Sequence, residues 1–236
     1  MPIRAMLQAL ILAALAAPPL HAAPPERGGD GSDVVGAPAD ADWVLARIAR
    51  PAPARTPFLE LRDSALLKEP LRILGEYRRE AGDSLVRQVN SPYRETTTIA
   101  NGMVRIERAG RAPRSFAMSR APELAALQAS FGALLAGDRA RLERHYRIEV
   151  DGSRRDWALV LTPRDAALAG RVAAVTLHGR GAELRCIESA PVDGREQRSL
   201  LAGAVADAEG VDDPATLQAL CHGETDRSRG EWGGSR

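Results

Sequence analysis

The chain has 236 residues, 44% of them hydrophobic, which suits one domain with a sizeable core. Its formal net charge is +1, its arginines are dispersed, and Lys68 is its only lysine, so no bulk field draws it to nucleic acid or to an anionic membrane. Aromatic residues make up 4% of the chain, too few for a platform that stacks single-stranded bases.

In chain order, Arg4 and the apolar run from Met6 to Ala17 predict a signal peptide over residues 1–23. The run is too short to span a bilayer. Leu20-His21-Ala22 and Ala14-Leu15-Ala16 are both possible cleavage sites, and no cysteine follows to carry an acyl anchor. The expectation is an exported, soluble protein. Residues 24–39 are rich in Pro, Gly, Ala and Asp and read as a linker. Asp40 then caps a helix predicted over Ala41 to Arg50, which Pro51 and Pro53 end.

Period-two patterning follows. Thr56 to Arg62 places Leu59 and Leu61 on one face and Phe58, Glu60 and Arg62 on the other. Leu71 to Arg79 aligns Leu71, Ile73 and Tyr77, with Gly75 marking a bulge or a close approach. Arg78 and Arg79 are adjacent and so point to opposite faces; one is a candidate for an anionic headgroup, against the commoner case of an exposed arginine. Ser84 to Asn90 is a further strand. Asn101-Gly102 is the strongest turn signal, joining strands on either side as a hairpin. Arg114 to Ser119 aligns Phe116 with Met118.

The period then changes. Pro122 opens an apolar helix whose stripe is Leu124, Leu127, Phe131, Leu134 and Leu135, ended by Gly137. Strands resume at Tyr146 to Val150 and at Arg155 to Leu161, where Trp157, Leu159 and Leu161 share a face. A short helix over Pro163 to Leu168, a hairpin of Val172–His178 with Glu183–Ala190, and a weak last strand, Glu196 to Leu201, complete the pattern. Residues 40–202 thus form the predicted domain, and residues 203–236 a poorly ordered tail with one helical stretch near Ala215 to Cys221. About ten strands in a meander, with one greasy helix inserted, predict a mainly β fold with α elements (α+β): a strongly curved, incomplete antiparallel barrel, covered or plugged by helices. Such a sheet either packs solid or leaves a cavity.

No catalytic grouping is present. The histidines are His21, His145, His178 and His222; none has metal-ligand spacing, and no nucleophile elbow or phosphate loop occurs. The chain is therefore expected to be no enzyme and to need no metal or cofactor. Glu60 and Arg62 read either as an ion pair on a wet sheet face or as a polar clasp at a cavity mouth. Cys186 and Cys221 permit a disulfide in an oxidising compartment; two unpaired thiols are the alternative.

Pro57-Phe58-Leu59-Glu60-Leu61-Arg62, then Leu66-Leu67-Lys68-Glu69-Pro70-Leu71 and Gly75, then Ser91-Pro92, Ile99, Asn101-Gly102, Pro122-Glu123-Leu124, Ala136-Gly137-Asp138 and Trp157 to Pro163, together resemble the LolA-like outer-membrane lipoprotein carriers. The likeness runs from about Trp43 to Leu201 and is nearest to a divergent LolA-related subgroup. It implies a LolA/LolB-like half-barrel that holds acyl chains. The implied cavity lining is Leu59, Leu61, Leu71, Ile73, Tyr77 and Leu85 from the early strands, and Ile99, Val104, Ile106, Phe116 and Met118 from the central hairpin and its successor. Leu124, Leu127, Phe131 and Leu134 would form the lid, and Trp157, Leu159 and Leu161 the far wall, with Glu60 and Arg62 at the mouth.

The well-studied carrier has an Arg-Pro pair where this chain has Ala81-Gly82, and a tryptophan where it has Arg87. The resemblance therefore implies carriage of an apolar ligand, an acylated lipoprotein or another lipid, by a monomer passing between an inner-membrane donor and an outer-membrane acceptor. A non-carrier module of the same fold, sensing lipid or binding an envelope-assembly partner, is the alternative.

Overall fold

The computed structural model describes residues 36–62, 68–81, 84–118 and 133–224. Helix α1 (Ala41–Ile48) starts where Asp40 accepts a hydrogen bond from the Trp43 amide at 2.9 Å, as its capping sequence predicts. The first half of the sheet is β1 (Ala54–Arg62), β2 (Leu71–Glu80), β3 (Ser84–Ser91), β4 (Glu95–Ala100), β5 (Met103–Arg108) and β6 (Arg114–Ala117). The β4–β5 hairpin turns at Asn101 and Gly102, with φ of 50° and 69°, the paired positive φ that selects Asn-Gly.

Residues 133–136 are helical, and α2 (Arg139–Glu143) follows, capped by Asp138. The second half of the sheet is β7 (Tyr146–Gly152), β8 (Asp156–Pro163), β9 (Val172–Arg180), β10 (Glu183–Pro191) and β11 (Gln197–Leu201), with α3 (Ala166–Ala169) between β8 and β9. Two helices close the described chain, α4 (Gly203–Asp207) and α5 (Pro214–His222).

Among the described residues, eleven strands lie in one antiparallel sheet, in the order β6-β5-β4-β3-β2-β1-β11-β10-β9-β8-β7. The chain therefore forms two meanders rather than one. β11, which reads from sequence as a weak terminal strand, is central: Phe58 pairs with Leu201, Leu59 with Leu200 and Glu60 with Ser199, joining the halves. Flat, eleven strands would span roughly 48 Å at about 4.8 Å each. Yet Phe116 on β6 and Ile148 on β7 pack against one apolar cluster, so the sheet curls strongly. It does not close: β6 and β7 are its two edges, and the barrel is open.

Side-chain alternation divides the sheet. The concave face carries the larger apolar cluster, covered by Val44, Leu45 and Ile48 of α1 and by Ala133, Leu134 and Leu135. The convex face carries a smaller one, in which Leu59, Leu200 and Cys186 meet Ala204, Ala208, Leu217, Leu220 and Cys221. Cys186 and Cys221 are bonded to each other with their Cα atoms 5.2 Å apart, which ties α5 to β10. Residues 203–224 are thus part of the fold rather than a loose tail, because α4 and α5 bury apolar side chains on the convex sheet. The predicted linker also ends early: Pro38 bridges Ser153, and the Arg154 amide donates to the Ala37 carbonyl.

Gly75 meets both of its sequence-based expectations. The β2–β3 register shifts between Leu74 and Gly75, and a Cβ at Gly75 would lie 2.0 Å from the Gln88 carbonyl oxygen and 2.6 Å from the Phe58 ring. Gly75→Ala is expected to destabilise the chain by about 1–3 kcal/mol through overpacking, read as a lower urea midpoint with an unchanged m-value.

Candidate binding face on the concave side of the sheet

The apolar wall is built by alternation across the curled sheet. Ile73, Tyr77, Leu85, Ile99, Val104, Met118, Trp157, Leu159 and Leu161 are buried together on the concave side, with Leu71, Ile106 and Phe116 half-buried beside them. Leu134 joins them from the covering segment. Leu59 and Leu61 do not: they lie on the convex face under α4 and α5. The parity of β1 read from sequence is right, but its inward side carries Phe58, Glu60 and Arg62 rather than the two leucines. Leu124, Leu127 and Phe131 lie outside the described residues.

In the middle of this wall sits a buried polar cluster. Glu60 Oε1 accepts hydrogen bonds from the Tyr77 hydroxyl at 2.9 Å and the Ser199 hydroxyl at 3.0 Å. Glu60 Oε2 accepts from Arg87 Nη2 at 2.7 Å and from Arg62 Nη2 at 3.4 Å. Arg87 Nε also donates to the Tyr77 oxygen at 3.3 Å. The Glu60–Arg62 pair expected from sequence is present, but Glu60 is only 6% exposed, so it belongs to the interior rather than to a wet face.

Aromatic rings support the arginine. The Arg87 guanidinium lies 4.6 Å from the Phe58 ring centroid, and the Phe58 and Tyr77 rings are 4.4 Å apart. Gly75 makes this possible, because the Phe58 ring occupies the space its side chain would fill. Burial works against the Arg87 charge, but the Glu60 carboxylate and the Tyr77 oxygen outweigh it and hold the guanidinium above its ordinary pKa. Burial first, and then the Glu60 charge, push the Tyr77 phenol well above its ordinary value, so it remains a neutral donor. Sequence reasoning missed Arg87 and Ser199. The signal was available: Leu85, Arg87 and Val89 share one parity on β3, and Ser199 shares that of Leu201 on β11.

Polar anchors of the covering segment gather at one end. The Arg50 amide donates to the Leu135 carbonyl at 3.1 Å, and Arg79 Nη1 donates to the same carbonyl at 3.4 Å and to the Arg50 carbonyl. Arg79 therefore reaches the concave side, while Arg78 faces outward toward Glu76 and Glu80 at 3.7 Å.

The convex side holds a groove of about 740 Å³, lined by residues of β7, β8 and β9 and by both C-terminal helices. His178 and His222 meet there with ring centroids 4.9 Å apart. Burial, and then the neighbouring His222, push the His178 imidazole down to about 4, so the ring is neutral at ordinary pH. A second groove, about 410 Å³, lies along β3 to β5 at Asn90, Arg94 and Arg108. Among the described residues no helix is long and apolar enough to cross a membrane.

The profile of the family described as outer membrane lipoprotein carrier protein LolA-like matches residues 35–224. The chain belongs to that family. No curated protein matches it. Among solved structures, a LolA superfamily protein from Nitrosomonas europaea is similar at 13% identity and a TM-score of 0.37, over 70% of this chain and 91% of its own. The MucA/MucB complex of Pseudomonas aeruginosa is similar at 18% identity and a TM-score of 0.37, over 78% of this chain and 62% of the matched one. LprF from Mycobacterium bovis is similar at 13% identity and a TM-score of 0.31, over 71% of this chain and 94% of its own.

Removing one partner of the buried pair leaves the other charge stranded. Glu60→Leu is expected to cost about 3–5 kcal/mol in urea unfolding, whereas the double change Glu60→Leu with Arg87→Leu recovers much of that loss. Equal destabilisation by the double variant would show that the pair is not the coupled unit.

Proposed function

We propose that this LolA-like chain is a periplasmic carrier that shelters the acyl chains of lipoproteins or related lipids against the concave face of its sheet. One observation carries the reading: an apolar wall continuous from β6 to β7, roofed by α1 and residues 133–136. Each methylene removed from water is worth about 0.8 kcal/mol, so a long acyl chain crosses an aqueous compartment only inside such an enclosure.

Loading exchanges the roof's apolar contacts for the guest's. Arg79 holds the roof at the end near Leu135, donating to the Leu135 and Arg50 carbonyls, and the Arg50 amide joins it there. The Cys186–Cys221 bond supports export to an oxidising compartment. An inner-membrane donor, an outer-membrane acceptor and a monomeric working state complete the proposal. None of this asks the chain to catalyse a reaction.

A second reading is favoured by a different fact. Phe58, Ile73, Tyr77 and Val104 are already fully buried by their neighbours, which suits a module of the same fold that binds a protein partner and keeps its interior closed.

Titration with a fluorescent fatty-acyl probe separates the two readings. The carrier reading expects saturable binding that Phe116→Glu weakens at least about tenfold, a loss of about 1.4 kcal/mol. Phe116 is half-buried on the concave side at the sheet edge, so the variant is expected to fold. Met103→Glu, on the exposed side of β5, is expected to leave binding intact. Absence of probe binding by the unaltered chain, with no acyl chain co-purifying from periplasm by native mass spectrometry, sets the carrier reading aside in favour of the module.

A further inference from the structure

At the margin of the convex groove, which His178 and His222 line, lies a group of donor atoms that the lipid-carrying reading does not use. His178 lies on β9, Glu188 on β10 and His222 at the end of α5. Their ligand atoms, together with the Cys221 sulfur, all lie within 4.8 Å of one another. His222 Nε2 is 3.2 Å from Glu188 Oε2. Two ligands on bonds of about 2.0–2.1 Å sit roughly 3.3 Å apart around a tetrahedral ion. His178 Nε2 is buried and has no hydrogen-bond partner among the described residues.

We propose that His178, Glu188 and His222 form a binding site for a divalent transition-metal ion of the zinc class. Two imidazoles and one carboxylate are a borderline ligand set that suits Zn²⁺ and disfavours Ca²⁺ and Mg²⁺, which take oxygen donors. Cys221 is bonded to Cys186 and supplies no thiolate, so the protein offers three ligands and the fourth position opens on the groove.

The surroundings support the ion. Glu224 Oε1 lies 3.9 Å from His222 Nδ1, on the far side of the ring from Glu188, where a carboxylate orients a ligating imidazole. Arg198 Nε donates to Glu188 Oε2, the same oxygen that faces His222, and is itself paired with Glu196, so the ion takes Glu188 through its remaining lone pairs. Metal bound here ties α5 to β9 and β10, a second clamp beside the disulfide. The site stands on the opposite face from the proposed acyl-binding wall and is independent of that reading.

The test uses the full chain, free of any polyhistidine tag and with its disulfide intact, titrated with ZnCl₂ in competition with a chromophoric chelator. One zinc per chain is expected. His178→Ala and His222→Ala are each expected to weaken it at least about tenfold, while His145→Ala leaves it unchanged. In the unaltered chain, zinc is also expected to shift the imidazole NMR resonances of His178 and His222 together, a readout that does not depend on the variants folding. No binding, binding that survives both substitutions in folded protein, or zinc that leaves both resonances in place would overturn the proposal.

Discussion

One carboxylate holds the centre of the sheet together. Glu60 accepts from Ser199 on β11, Arg62 on its own strand, Tyr77 on β2 and Arg87 on β3, which joins four neighbouring strands through one side chain. A carboxylate has about four acceptor positions, and all are filled. Stripping a charge of water costs several kcal/mol unless it is met in this way. The cluster therefore also fixes register: a one-residue slip in any of these strands would send a donor to the convex face and strand the charge. It sits beside the β1–β11 pairing, the place where the two meanders meet and where a slip would do most harm.

The two faces of that central seam do different work. Inward, Phe58 and Leu201 continue the concave apolar wall; outward, Leu59 and Leu200 seat α4 and α5. Arg72 adds polar stitching on the outside, donating to the Ala208 and Val211 carbonyls at 3.1 Å. The C-terminal helices are thus fastened to β2, β10 and β11, strands from both halves. Alternation along a single strand is enough to give each face its own core.

Much of the fold is legible in the sequence, because its signals are local. Asn101-Gly102, the Asp40 cap and the alternation of Trp157, Leu159 and Leu161 each act through neighbouring residues. What escaped is nonlocal. Nothing within Glu196 to Leu201 says that this strand will pair with β1 rather than finish a meander. Nor does β1 alone say which of its faces turns inward: Leu59 and Leu61 look like the buried side until α4 and α5 arrive to bury them from without. The burial of Arg87 escaped because the carboxylate that makes it tolerable lies 27 residues earlier in the chain.

A buried ion pair in the middle of a wall proposed to bind acyl chains looks like a contradiction, and the packing removes it. Every Glu60 acceptor position is filled, Arg87 is 5% exposed, and the Phe58 ring lies against the guanidinium. What the cluster presents to its apolar neighbours is aromatic surface, so hydrocarbon lying there meets no unpaired charge. In the carrier reading the sheet is then a rigid wall, locked at its centre, and accommodation falls to the roof. The roof's polar anchors, Arg50 and Arg79, converge on Leu135 at one end. The roof is also tied at the start of α1, where the Ala39 amide donates to the Gly152 carbonyl and Pro38 bridges Ser153, so in that reading loading exchanges the apolar contacts of Val44, Leu45, Ile48 and Leu134 while the polar ties, the wall and its buried charges stay where they are.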